Sequence, residues 1–496
     1  MLNCLKNKKA DDSFIVRNIA KKLIKWGRKM VFSSLFFLYF FFPICLIVYS
    51  QAKKIESKNI VLVVFSLLFY AWGEPLYVFL LIISVWLNYL FGIYVGKNNE
   101  NNRGKTALII SLVMNIGILF VFKYSGFFVE NINLFFKTSF HVPQIKLPIG
   151  ISFYTFQTLS YVIDCYWGTV KPQKKFLWLL MYISLFPQLI AGPIVRYSTI
   201  EHEITNRKAT QADLAEGFTR LAIGLGKKVI LADNLSTIVD TFLGGNVGNL
   251  SVLGTWYGVI LYSMQIYFDF SGYSDMAIGI GRILGFHFDE NFKHPFLCKD
   301  VSEFWKRWHI SLGTFFNDYL LYVPIFGKRR KYGGLFLVWF CTGFWHGANW
   351  NYIIWGLYYG LFILFESKIG RKNISKWPIV LRHIYNKLVI IIGFGIFYFE
   401  DLGKLGTFLK GLIGLNGNGF IDLQVKMSFV NNIFLVIAAL ICCFPILSIP
   451  KKISASSPAA KVTVSVAGTV CCLLIFIVSS ILLVNATNHP FLYFRF

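Results

Sequence analysis

The sequence predicts an all-α polytopic membrane protein, with roughly 10–12 transmembrane helices plus re-entrant helices. Three observations predict it. Of 496 residues, 56% are hydrophobic and only 15% charged, where an ordinary soluble domain carries about a quarter charged residues. A mean hydropathy of +0.58 sustained over this length is more apolar surface than one buried core can absorb. The apolar segments approach bilayer length and alternate with short basic loops, as membrane insertion requires. A disordered chain and a soluble multidomain enzyme are excluded.

Taken in order, clear spans are 31–50, 59–72, 75–96, 106–123, 176–197, 252–268, 388–399, 429–449 and 462–484. Apolar stretches of less certain course fill 147–167, 214–232, 272–286, 310–326 and 333–366. No 20-to-50-residue repeat and no soluble insert interrupts them, so residues 30–484 read as one continuous membrane domain.

The net charge of +25, from 49 Lys+Arg against 24 Asp+Glu, would point to nucleic acid in a soluble protein. Here the bases lie in runs between spans: Lys53–Lys54, the Lys328-Arg329-Arg330-Lys331 run and Lys451–Lys452. No nucleic-acid module accompanies them. The loops 51–58 and 97–105 are basic, whereas the Gly73-Glu74-Pro75 loop between them has no Lys or Arg. The positive-inside rule therefore puts the two basic loops in the cytoplasm and the start of the first span outside. Residues 368–387 are basic and inside. The 400–428 loop then lies outside, Lys451, Lys452 and Lys461 inside, and the tail 485–496 outside.

Residues 1–29 conflict with this, because their nine Lys/Arg belong inside. Either translation begins at Met30, the reading we favour, or 1–29 is an amphipathic helix on the cytoplasmic surface. No small-residue cleavage site follows the apolar stretch, so a cleaved signal is not indicated. The nine cysteines are odd in number and mostly sit inside apolar stretches; they offer neither a disulfide framework nor a metal-ligand spacing.

Intramembrane ionisable residues are costly and hence functional candidates. The densest groups are Glu303-Phe304-Trp305-Lys306-Arg307-Trp308-His309 and Trp345-His346-Gly347-Ala348-Asn349-Trp350. Both flanks of the second group are cytoplasmic by charge, and 333–345 gives only about 20 Å of helix. The chain is therefore expected to enter, turn at His346-Gly347-Ala348 and return. Such a turn survives at membrane depth only where it is buried in protein or lines a cavity. It would hold the His346 imidazole as a general base for transfer to or from a hydroxyl or thiol. The alternative is a core histidine bonded between helices. For His309 the alternative is an ion-pair role.

At these residues the chain resembles the membrane-bound O-acyltransferase family, in the alginate O-acetyltransferase-like branch that acetylates exported polysaccharides. The resemblance runs from Met30 over most of the chain. Its motifs include FYAWGEPLY, LPIGISFYTFQTLSYVIDCYWG, FPQLIAGPIVRY, IYFDFSGYSDMAIGIGRILGF, FWKRWHISL, TGFWHGANWNYIIWG and the terminal PFLYFRF. It implies helices around a central tunnel in the bacterial cytoplasmic membrane, with acetyl-CoA as a cytoplasmic co-substrate. It also implies a partner, an extracytoplasmic acetyltransferase or esterase of the SGNH type that completes transfer to sugar. The family's catalytic histidine falls on His346 and its second histidine on His309. A related D-alanylation system uses a small membrane protein with a Pro-Phe-aliphatic-Tyr ending. That likeness makes Tyr493, in Pro490-Phe491-Leu492-Tyr493, a candidate acyl carrier, the alternative being an aromatic interface anchor.

The remaining candidates are weaker. Trp345 and Asn349 flank the turn, Lys306 and Arg307 offer positive charge for the donor's phosphates, and Asp269 places a carboxylate in an apolar run. Asp275 either lines a tunnel, with Asp269, Ser271, Tyr273 and Ser274, or pairs with Arg282, which is seven residues on and shares its helix face. Gly224-Leu225-Gly226 lacks a phosphate-loop setting and reads as helix packing. Rival functions are a D-alanyl or other acyl transferase of the same fold, or a polysaccharide transporter. The transporter predicts inverted repeats, which the sequence does not show.

Overall fold

The structure is a computed structural model describing residues 30–190, 192–321, 331–446, 448–454 and 457–485, together with Phe491. The 1–29 segment and Tyr493 lie outside the described residues. Every regular element among the described residues is helical. By length and composition, five helices can each cross a membrane: Ile55–Gly73, Tyr77–Lys97, Asn102–Lys123, Ile379–Tyr398 and Pro458–Val484. A sixth forms if the bent pair Leu423–Asn431 and Ile433–Cys442 counts as one.

These outer helices expose one apolar face, for example Ile109, Ile110, Val113 and Ile116, or Val470, Leu473, Ile477 and Ile481. On their inner faces Asn88, Ser111, Asn115 and Thr158 form one buried polar cluster, with Asn88 and Asn115 amides 2.8 and 3.0 Å from each other's oxygens. Such bonds join helices where lipid offers no hydrophobic drive between them.

Inner helices are more polar and so fail a test of apolar length. The Val252–Ile283 helix runs 32 residues and buries Gln265, Asp269, Ser271 and Ser274. The Gln211–Gly226 helix lies directly against it. A Cβ on Gly224 would stand 2.5 Å from the Gly272 carbonyl oxygen, so only glycine permits this approach, as the Gly224-Leu225-Gly226 reading expected. A π-helical turn, Lys227–Ala232, follows and delivers two lysines to the neighbouring helix.

Those lysines correct one expectation. Asp275 pairs with Arg220 at 2.8 Å and Lys227 at 2.6 Å, while Arg282 pairs with Glu216. Seven residues along a helix is about 10 Å, too far for a direct contact, whereas the glycine-packed neighbour lies within reach.

Two expected spans are also broken. The 176–197 span is a Phe176–Ser184 helix, a single turn Phe186–Leu189 and irregular chain up to the Tyr197–Asn206 helix. Pro187 cannot extend the first helix. This buried irregular backbone finds side-chain partners: Tyr182 donates to the Val195 carbonyl at 2.9 Å, and Ser311 Oγ accepts from the Ile194 amide at 3.0 Å. The 429–449 span instead bends by 68° between Asn431 and Ile433.

The 333–366 stretch is a hairpin, as expected. Its arms are Lys331–His346 and Trp350–Ile369, about 24 and 30 Å long at 1.5 Å per residue. The first arm is longer than the 333–345 estimate because it begins at Lys331, and the second matches the hydrocarbon thickness of about 30 Å. The arms cross at Gly343 and Gly356, whose Cα atoms leave no room for a side chain: a Cβ on Gly356 would be 2.4 Å from the Trp339 carbonyl oxygen.

Candidate active site

The first arm ends in His346, and the turn passes through Gly347, Ala348 and Asn349. A helix end leaves its last carbonyls without intrahelical donors, and in a membrane those groups must find protein partners. Here the end of the Asn102–Lys123 helix supplies them. Tyr124 donates to the Phe344 carbonyl at 2.9 Å, its ring stacked on Phe344 at 4.1 Å. The Lys123 ammonium donates to the Trp345 carbonyl and lies 3.5 Å from both the His346 carbonyl and Ser152 Oγ.

With the backbone held, aromatic rings fix the His346 side chain. Trp345, Trp355 and Phe397 stand edge-on at 5.0, 4.9 and 5.2 Å. His346 is 8% exposed, and its Nδ1 has no partner among the described residues. A cavity of about 80 Å³ opens beside it, lined by Lys123, Pro148, Gly150, Ser152, Trp345 and His346 among others. That volume holds several waters or a two-carbon acyl group.

The His309 ring lies 6.0 Å from the Trp345 ring. It caps the Ile310–Tyr319 helix at φ 45, in the left-handed region that few non-glycine residues occupy. Asn291 holds it there. Its Oδ1 lies 3.2 Å from His309 Nδ1 and also accepts from the Ser311 amide and hydroxyl at 3.2 and 2.9 Å, while its Nδ2 donates to Ser274 at 3.1 Å. An amide oxygen only accepts, so Nδ1 carries the hydrogen. Nε2 keeps its lone pair and has no partner among the described residues. Two buried bases thus neighbour one indole.

The other candidates separate from this pair. Asn349 opens the second arm without capping it. Lys306 is exposed, Arg307 pairs with Glu303 at 2.6 Å, and neither lines the His346 cavity. Asp269 is paired with Lys228 at 2.6 Å, and Lys228 also bonds Asp233 at 2.7 Å. A groove of about 590 Å³ between Tyr77–Lys97 and Asn102–Lys123 is lined mainly by Leu87, Leu90, Phe91, Tyr94 and Ile110 and stands apart from both histidines. Of the tail, Phe491 is buried at 1% exposure, its ring 4.5 Å from Tyr273 and 4.9 Å from the Lys228 ammonium.

Sequence reasoning missed Lys123 because a lysine closing an apolar run passes for an interface anchor. The signal was available, since charge places that helix end outside, where the positive-inside rule gives a lysine no insertion role.

Residues 172–400 match the family model for membrane-bound O-acyltransferases. The probable alginate O-acetylase AlgI of Pseudomonas putida is 34% identical, covering 94% of this chain and 100% of that protein. The chain belongs to the membrane-bound O-acyltransferase family. It is therefore an acyltransferase of a multi-pass membrane protein class. Within the family, the peptidoglycan O-acetyltransferase of Helicobacter pylori is 34% identical over 82% of this chain and 84% of its own length. The teichoic acid D-alanyltransferase of Bacillus subtilis is 29% identical over 64% and 84%.

Proposed function

We propose that this O-acyltransferase takes an acetyl group from cytoplasmic acetyl-CoA and passes it across the bacterial cytoplasmic membrane for O-acetylation of an exported or cell-surface polysaccharide. The observation that carries this is His346, a water-shielded base at a small cavity, in a chain whose relatives with 34% identity include two kinds of O-acetylase.

The chemistry follows from the geometry. An acceptor hydroxyl in the cavity gives its proton to His346 as its oxygen bonds the thioester carbonyl carbon. The tetrahedral oxyanion collapses, the carbon–sulfur bond breaks, and the departing thiolate recovers the proton from the imidazolium. The products are an O-acetyl ester and the free thiol. His309, oriented by Asn291, presents Nε2 near Trp345 and holds the donor or relays the proton. Lys306 and Arg307 lie on basic cytoplasmic chain suited to the donor's phosphates.

We assign the carrier role to Tyr493. Phe491, two residues before it, is buried against Tyr273 and Lys228, which supports a tail that docks into the bundle rather than lying in the lipid interface. The ester on Tyr493 then passes to a separate extracytoplasmic SGNH-type acetyltransferase, the partner that completes transfer to sugar. The Bacillus subtilis relative favours a second reading, transfer of D-alanine by the same steps.

Mild alkaline release from surface polymer separates these readings in cells carrying wild type, His346→Ala or Tyr493→Phe at matched membrane levels. The account expects acetate from wild type and none from either variant. Loss with His346→Ala alone removes the tyrosine carrier. Released D-alanine in place of acetate moves the chain to the second reading, and unchanged acetate in all three contradicts the proposal.

A further inference from the structure

Lys123 is unusual on three counts. It forms no ion pair with a carboxylate within 4 Å among the described residues, although it is inside the fold. It belongs to the wall of the His346 cavity. Its contacts are the carbonyls of Trp345 and His346, the Ser152 hydroxyl and the Trp345 ring, 5.7 Å from its ammonium. What balances its charge is the carbonyl end of the Lys331–His346 helix, where the peptide dipoles leave about half a negative charge. The same end bears the His346 side chain, so the lysine and the base are joined through one turn of backbone.

We infer that Lys123 is a positioning residue for acyl transfer. Its ammonium ties off the helix end and so fixes the angle at which the His346 imidazole meets the cavity. Without it the Trp345 and His346 carbonyls lose the ammonium that caps them, the last turn relaxes, and the imidazole leaves the line of attack. A base displaced by about 1 Å costs on the order of 100-fold in rate. The inference rests on the transfer reading above.

The test measures free-thiol release from acetyl-CoA by inside-out vesicles of cells carrying wild type, Lys123→Met, Lys123→Arg or His346→Ala at equal membrane levels. Lys123→Met keeps side-chain length without charge or donors; its turnover is expected to fall about 10- to 100-fold while the KM for acetyl-CoA stays within about twofold, the pattern of a lost transition-state interaction. Lys123→Arg, which retains charge and donors, is expected to recover part of the turnover. A role in general stability would instead lower turnover and melting temperature together, with no preference for arginine, and would overturn the inference. So would a raised KM at unchanged turnover. If Lys123→Met accumulates poorly, Lys123→Gln is read by the same criteria. Wild-type turnover in Lys123→Met beside a dead His346→Ala removes this inference alone; wild-type turnover in His346→Ala removes the transfer reading and the inference with it.

Discussion

His309 and His346 both neighbour the Trp345 ring, 6.0 and 5.0 Å from it, yet they are held differently. His309 is oriented through its own ring nitrogen, which bonds Asn291 within a network that includes Ser274 and Ser311. His346 is oriented through its backbone, capped by Lys123 and neighbouring Tyr124, and through three aromatic rings that leave Nδ1 without a partner among the described residues. The difference teaches how a membrane interior can fix an imidazole. A hydrogen bond from a side chain sets tautomer and angle but consumes a nitrogen. A capped helix end with edge-on rings sets the angle and leaves the nitrogens for chemistry.

The comparison breaks most sharply at His346 itself. His346→Ala removes the base and is expected to lower turnover by about 10²- to 10⁴-fold, the usual contribution of general-base catalysis, read as thiol release from acetyl-CoA. Next is the hairpin that carries it. Gly356→Val pushes a side chain into the Trp339 carbonyl and the Gly343 crossing and is expected to abolish accumulation in the membrane, read by immunoblot against wild type.

A smaller effect sharpens the contrast. Asn291→Ala frees the His309 ring, together with Ser274 and Ser311, without touching His346; the lost bond to the ring, about 1 kcal/mol, is expected to cost roughly tenfold or less in turnover. Because Asn291 acts through His309, the double variant Asn291→Ala, His309→Ala is expected to be no slower than His309→Ala alone. Additive losses would mean that Asn291 has a separate role.

The smallest effect lies outside the His346 cavity, where a third histidine is held by charge. His287 lies between Glu203 at 2.7 Å and Asp213 at 3.1 Å. Partial burial works against its charged form, but the two carboxylates outweigh this and hold it above its ordinary value of 6.5. A raised folded value means that the stabilisation is complete below the unfolded value and lost as pH rises through the folded one. Thermal midpoints of the detergent-solubilised protein are expected to decline modestly above about pH 6.5. His287→Gln should flatten that decline.

Features that depend on one stretch of chain were legible in the sequence. The turn at His346-Gly347-Ala348 followed from arm length and charge on both flanks, and the close packing at Gly224 from small residues in an apolar run. Features that depend on a neighbouring helix were not. Asp275 chose Arg220 and Lys227 over Arg282 because a glycine-packed helix stood nearer than two turns of its own. The 176–197 run is apolar enough to span, but Pro187 and the partners offered by Ser311 and Tyr182 let it break. Lys123 was hidden for the same reason, since only the folded chain brings it to the end of the His346 helix.

The central claim is that His346 is the base for transfer of an acetyl group to surface polymer. The most direct measurement is alkali-released acetate from surface polysaccharide of cells in which His346→Ala replaces the wild-type chain at equal membrane abundance, with His287→Gln as a control remote from the cavity. The account predicts no acetate above background for His346→Ala and wild-type acetate for the control. Wild-type acetate from His346→Ala cells would contradict it.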